Sequence, residues 1–148
     1  VSALSAHEFP TRDCPHETAP PLDTSAIIAL ANREPSAPQI WSAIETADEL
    51  RMSAGTWIEL FLVMDARDPR LAGKIETLLT ELEVEVVDVT SQHAALARQA
   101  YRDFGRGRHR AGLNYGDCFA YALAKQLNEA LLSVGDDFRH TDVRSALA

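Results

Sequence analysis

The stretch Gly112-Leu113-Asn114-Tyr115-Gly116-Asp117-Cys118-Phe119-Ala120-Tyr121-Ala122-Leu123-Ala124 is the most informative in this chain. Asn114 or Tyr115 opens a helix that runs to about Leu127; Leu131–Val134 then makes a short apolar strand, and Asp136 and Asp137 follow it directly. One acid, Asp117, thus lies inside an apolar helix, and two more stand where a strand gives way to a turn. Burying a lone carboxylate costs several kcal/mol, so Asp117 calls for a proton, a basic partner or a cation.

Upstream, the same alternation repeats. Leu22 ends a very short apolar segment, and Asp23-Thr24-Ser25 offers capping oxygens before the run Ala26–Ala31. Ile40, Trp41 and Ile44 recur at helical spacing within 37–47, and Arg51-Met52-Ser53 reads as a brief strand. The region Thr56–Ala66 is apolar enough to predict a mostly buried helix, with Glu59 as its exception. Ile75, Leu78, Leu79 and Leu82 mark an amphipathic helix, and Val84, Val86, Val87 and Val89 a buried strand. Ser91 is expected to cap a helix through Phe104, after which Gly105–Gly112 forms a polar loop. Helices alternating with short apolar strands predict a three-layer α/β fold on a mainly parallel sheet.

Length and composition bound the function. The 148 residues suit one domain, and 46% hydrophobic with 24% charged residues excludes a wholly disordered chain. The longest apolar runs, Ala26–Ala31 and Leu60–Met64, are far shorter than the ~18–20 residues of a membrane span. No secretory signal is visible, and Cys14 and Cys118 form neither a knuckle nor a CxxC pair, which points to a reducing cytosol. The net charge of -8 argues at first against a polyanionic ligand. It is unevenly spread, however. Arg98, Arg102, Arg106, Arg108 and Arg110 face only Asp103, which makes residues 98–110 +4 and the remainder -12.

Asp23, Glu59, Asp117 and Asp136 or Asp137 all fall beside apolar sequence, at strand ends or in helices that would line the crevice of a parallel sheet. Taken singly, Asp23 is explained as a helix cap and Asp136 or Asp137 as turn residues. Together, with no lysine or arginine in either apolar motif, they point to a shared divalent cation. Hard oxygen donors favour Mg²⁺, with Mn²⁺ as substitute, over zinc. Such a site hydrolyses phosphodiesters by activating water and stabilising the developing charge.

The ordered set Leu22-Asp23-Thr24-Ser25-Ala26, a glutamate in an apolar helix, Gly112–Ala124, and Gly135-Asp136-Asp137-Phe138 with Thr141-Asp142 resembles the PIN-domain ribonuclease toxins of the VapC type, over about residues 22–144. The resemblance implies a three-layer α/β/α PIN-like domain over 22–148, acting as a Mg²⁺-dependent endoribonuclease and as the toxin of a type II toxin–antitoxin pair. It implies Asp23, Glu59 and Asp117 as catalytic metal-site acids, with Asp137 preferred to Asp136 as the fourth. Thr24 and Ser25 hold a metal-bound water or a phosphate oxygen, or simply cap the helix. Arg106, Arg108 and Arg110 contact RNA phosphates, or form a solvated loop or an antitoxin contact. His109 reads as a loop or phosphate contact, His93 as a helix-surface residue, Cys118 as core, and Trp41, Trp57 and Tyr121 as core or interface. Expected partners are RNA, a VapB-like antitoxin and a second copy of the chain, in the cytoplasm and without a membrane. One departure stands out: members usually have an apolar first strand before Asp-Thr-Ser, whereas here Ala19-Pro20-Pro21-Leu22 takes its place. Residues 1–21 are accordingly expected to be an irregular extension, from a different start or an altered upstream frame, with strand one short or distorted. Two alternatives follow: a PIN-like binding module that sequesters a partner with little or no catalysis, or a Mg²⁺ phosphoesterase acting on DNA or a small phosphate ester.

Overall fold

The computed structural model describes residues 18–147. In chain order the elements are α1 (Thr24–Ala31), α2 (Ala37–Thr46), β1 (Arg51–Ser53), α3 (Ala54–Arg67), α4 (Pro69–Glu81), β2 (Glu85–Val87), α5 (Ser91–Phe104) and α6 (Tyr115–Leu127). β1 and β2 pair in parallel, with Arg51 opposite Glu85, Met52 opposite Val86 and Ser53 opposite Val87. Single parallel bridges extend this ladder: Pro21 to Arg51, Leu22 to Leu132, and Leu131 to Ser145. The expected parallel sheet is therefore present, but its middle is assembled from one- and two-residue contacts. The strand expected at 131–134 pairs only through Leu131 and Leu132.

Pro20 and Pro21 show how so short a centre holds. Leu22 donates its amide to the Arg51 carbonyl (2.8 Å) on one side, and Asp23 donates to Leu132 (3.0 Å) on the other. Pro21 supplies only its carbonyl, which accepts from the Leu132 amide at 2.9 Å. Proline is tolerated here because it begins the pairing, before the residues that must donate. Ala19, Pro20 and Pro21 are buried, so packing begins ahead of the boundary expected at Leu22. Residues 1–17 of the expected irregular arm lie outside the described residues.

The sheet separates two cores. Leu22, Met52 and Leu132 join apolar residues of α1, α2, α3 and α4 on one face. Leu131, one residue from Leu132, packs on the other face with Ala100 of α5, Leu113, and Cys118, Ala120, Tyr121 and Ala124 of α6. Adjacent residues serving opposite cores follow from the two-residue repeat of extended chain. This is the three-layer α/β/α architecture.

Four sequence expectations need correction. α3 is not mostly buried along its apolar run, because Ile58 and Leu62 are 48% and 65% exposed. The valine-rich strand is at the edge, with Val86 and Val89 exposed. His93 is 4% exposed rather than on the helix surface. The cap of α5 is Thr90, not Ser91: the Thr90 side chain accepts from the His93 amide at 3.1 Å, and His93 Nδ1 accepts from the Thr90 amide at 3.5 Å. His93 thus fills the third helical position of a reciprocal capping box, and its Nε2 meets Gln126 Oε1 of α6 at 3.3 Å. Of the aromatic residues, Tyr121 is buried, Trp57 partly buried, and Trp41 exposed.

Candidate active site

Asp23 ends the central segment and is the N-cap of α1. Its Oδ2 accepts from the Ser25 amide (3.1 Å) and from the Ser25 hydroxyl (2.6 Å). Ser25 also uses its oxygen to accept from the Val134 amide at 3.1 Å. One hydroxyl therefore joins the Asp23 carboxylate to the segment leading to Gly135-Asp136-Asp137. The cap of α1 is Asp23 rather than Thr24 or Ser25, and Ser25 is the residue whose amide and hydroxyl bind that cap.

Asp117 is the third residue of α6, in a second reciprocal capping box. Its amide donates to Asn114 Oδ1 (2.8 Å), and its Oδ2 accepts from the Asn114 amide (3.0 Å). The sequence carried this signal as Asn-x-x-Asp before an apolar run. The helix N-terminus, with its free amides and positive dipole end, favours a negative group at this place.

Glu59 reaches the same locality from α3, and Gly116 is the reason it can. A Cβ on Gly116 would occupy the volume of the Glu59 carboxyl group, so that group can lie against the start of α6 only because residue 116 has no side chain. Gly55 does the same a turn earlier in α3, where the Phe119 ring lies over its Cα. A glycine inside an apolar helix was the available sequence signal for such close approach.

These acids lie in one electrostatic field. Burial raises Asp23, against the opposing Ser25 hydrogen bonds, and the Asp137 charge adds to the rise. Burial raises Glu59, and Asp23 raises it further. Asp117 is pushed up to about 7, mainly by burial and then by Asp23, Asp137 and Glu59, although the Asn114 amide favours its ionised form. Asp136 contributes to none of these shifts. It is exposed, 3.5 Å from Arg139. Among the described residues no lysine, arginine or histidine forms an ion pair with Asp23, Glu59, Asp117 or Asp137.

The donor set suits a hard divalent cation: four carboxylates, two of them buried, none with a basic ion-pair partner among the described residues. Among the described residues no group of three His, Cys, Asp or Glu side chains is drawn together closely enough to hold a metal ion. Mg²⁺ does not require such a group, since it keeps several waters and takes few carboxylates. Cys118, next to Asp117, is held as a thiol: burial and the Asp117 charge raise it to about 11, and its Sγ donates to the Asn114 carbonyl at 3.3 Å. Thr56, one turn before Glu59, has a buried hydroxyl with no partner among the described residues.

Arg106, Arg108 and Arg110 project from the loop that leads into α6, all exposed. The loop is closed at its base, where Arg106 donates to the Leu113 carbonyl and Leu113 to the Phe104 carbonyl, each at 2.9 Å. Leu113 then passes directly to Asn114 and Asp117, so the arginine loop and the acids share the α6 N-terminus. Thr24, at the start of α1, is partly buried beside Asp23.

Comparison with known proteins matches residues 22–144 to the PIN domain. Ribonuclease VapC30 of Mycobacterium tuberculosis is 46% identical over 124 residues, covering 82% of this chain and 94% of that protein. Ribonuclease VapC28 of the same species is 48% identical over 128 residues, covering 85% and 96%. Among solved structures, M. tuberculosis VapC20, described as a sarcin-ricin loop cleaving toxin, superimposes with a TM-score of 0.64 at 20% identity, covering 85% of this chain and 99% of that one. VapBC2 from Rickettsia felis, bound to a fragment of its promoter DNA, gives 0.67 at 12%, covering 86% and 96%. The solved structures establish the fold, and the identity of 46–48% to the curated proteins extends over nearly their whole length. The chain belongs to the PIN-domain family and, within it, to the VapC ribonucleases.

Proposed function

We propose that this chain is a Mg²⁺-dependent endoribonuclease, with Mn²⁺ as a substitute, and the toxin of a type II toxin–antitoxin pair. The observation that carries the reading is the group of Asp23, Glu59 and Asp117, whose proton affinities are raised by burial and by one another's charges and that of Asp137, with no ion-pair partner among the described residues. Asp23 and Asp117 are the principal ligands, each held by hydrogen bonds from its own helix start; Glu59 and Asp137 assist from the rim. The bound cation supplies Lewis acidity toward a phosphodiester and toward the attacking water. Asp137 rather than Asp136 is the fourth acid, supported by its charge on Asp23 and Asp117.

Arg106, Arg108 and Arg110 hold the RNA backbone beside this pocket, where the local charge is opposite to that of the whole chain. Ser25 positions Asp23, and Thr24 lines the same helix start. RNA is favoured as substrate because the relatives near half identity are named ribonucleases. A VapB-like antitoxin is the expected partner, supported by the toxin–antitoxin complexes among the solved structures of the same fold. A homodimer is expected with it, and the cytoplasm is the expected place of action. No helix among the described residues is long and apolar enough to cross a membrane. The reading as a binding module with a weakened metal site loses its motive, because the proline-bearing segment still delivers Asp23 to the sheet's centre through two good amide bonds.

The test is to express the parent and Asp117→Asn, then compare growth arrest and RNA cleavage with Mg²⁺ and with chelator. Cleavage and arrest by the parent alone, abolished by chelator in vitro, are expected. Equal toxicity of both proteins would overturn the nuclease reading.

A further inference from the structure

Among the residues that no role has yet absorbed, His109 stands in the middle of the arginine loop, partly buried between exposed Arg108 and Arg110. The loop reverses direction at Gly107 and Gly112, whose φ values of 79° and 61° are left-handed conformations that side-chain-bearing residues seldom adopt. Inside it the backbone is nearly self-sufficient. The Arg108 and His109 amides donate to the Gly105 carbonyl (3.0 and 3.1 Å), and the Gly112 amide donates to the His109 carbonyl (3.0 Å). The Ala111 amide instead goes to the His109 side chain, donating to Nδ1 at 3.0 Å. A backbone N–H can only donate, so Nδ1 is unprotonated and the neutral ring carries its proton on Nε2. The ring is also wedged edge-on against Phe104, with centroids 5.2 Å apart, and Phe104 packs against Tyr121 of α6 at 5.9 Å.

We propose that His109 is a positioning residue for RNA binding: its Nδ1–Ala111 hydrogen bond and its Phe104 contact set Arg106, Arg108 and Arg110 in the arrangement that meets the phosphate backbone. Three like charges within five residues repel one another, and none forms an ion pair among the described residues. With the Ala111 amide released, the turn at 109–111 and its flanking arginines would sample further arrangements under that repulsion, and re-ordering them would weaken binding. Fixing them in advance removes that cost. The anchor also continues into the acids' own helix through Phe104 and Tyr121, which holds the arginines in register with Asp117. The inference rests on the reading of this loop as the RNA contact.

The test measures binding of a fluorescein-labelled single-stranded RNA 12-mer in chelator, at several salt concentrations, for the parent, for His109→Ala, →Asn and →Gln, and for Arg106→Ala/Arg108→Ala/Arg110→Ala. Asparagine places Oδ1 where histidine has Nδ1 and readily accepts an amide two residues on; glutamine does not. His109→Ala and His109→Gln are expected to weaken binding about tenfold, the scale of the ordering cost of a few side chains. His109→Asn should stay within about twofold. Hydrogen exchange at the Ala111 amide should be slow in the parent and the Asn variant and fast in the other two, a readout that separates a released loop from a misfolded domain. The triple arginine variant should flatten the log–log salt slope by about 2. If that variant binds as the parent does, the loop is not the RNA contact and both readings fall. If it loses binding while His109→Ala keeps it, or if asparagine fails to rescue, the role of His109 alone is overturned.

Discussion

Replacing Asp117 with asparagine should abolish catalysis and, in the absence of metal, make the protein more stable. Asp117 is 7% exposed and its carboxyl is raised from 3.8 to about 7. An acid whose folded value lies above its unfolded value binds more protons when folded, so the stability it contributes is fully present below about 4 and is lost as pH rises toward 7. Each unit corresponds to about 1.4 kcal/mol, which gives a ceiling of about 4 kcal/mol of destabilisation at pH 8. Water that reaches the half-buried Glu59 and the exposed Asp137 screens the repulsion, and about half of that is expected, ~2 kcal/mol. The asparagine carries no charge, and its amide oxygen still accepts from the Asn114 amide. The variant should therefore gain about 4–8 °C in Tm at pH 8 in chelator, and about a third of that at pH 5, where Asp117 is already largely protonated. Adding Mg²⁺ should stabilise the parent and narrow the difference. The assay is thermal unfolding of both proteins at the two pH values, with and without Mg²⁺. A variant no more stable than the parent at pH 8, or one with the same gain at pH 5, would refute the account of clustered, uncompensated carboxylates.

Three further outcomes follow from individual contacts. Gly116→Ala should leave Tm unchanged or slightly raised, since alanine favours a helix by about 1 kcal/mol, while metal-dependent cleavage falls tenfold or more, because the new Cβ takes the place of the Glu59 carboxyl group; full activity in a cleavage assay would contradict it. Ser25→Ala removes a hydroxyl that serves both Asp23 and the Val134 amide, and urea unfolding should show a loss of about 1–3 kcal/mol. Thr56→Val replaces a buried hydroxyl that has no partner among the described residues with a methyl of similar size, and the same measurement should show a gain of about 1 kcal/mol.

Much of the fold and of the site could be read along the chain, because the signals are local. Helical periodicity located α2, α4 and α6, and the acids announced themselves by standing where acids are costly. What failed was whatever depends on a neighbour distant in sequence. An apolar run reads the same whether or not another element covers it, so the exposure of Ile58, Leu62 and Val86 was not legible. His93 looked like a surface residue because the Gln126 and Thr90 groups that enclose it are not part of its own periodicity. The two prolines predicted a short or distorted first strand, and the segment indeed pairs only through single bridges at Pro21 and Leu22; what the prolines did not reveal is that its donors, Leu22 and Asp23, come after them and still reach both neighbours.

The kind of chemistry available was already set by composition and order: which residues are acids, that no basic side chain accompanies them in their apolar motifs, and that a block of arginines precedes the helix bearing Asp117. The same properties carried the family resemblance. Which acids share one electrostatic field, by contrast, emerged with folding. Asp136 and Asp137 are indistinguishable as neighbours in a turn, but only Asp137 lies close enough for its charge to be felt at Asp23 and Asp117, while Asp136 is drawn to Arg139. Coulomb interaction depends on distance through space, and for residues this far apart along the chain that distance exists only once α1, α3 and α6 have packed, with Gly116 leaving room for Glu59.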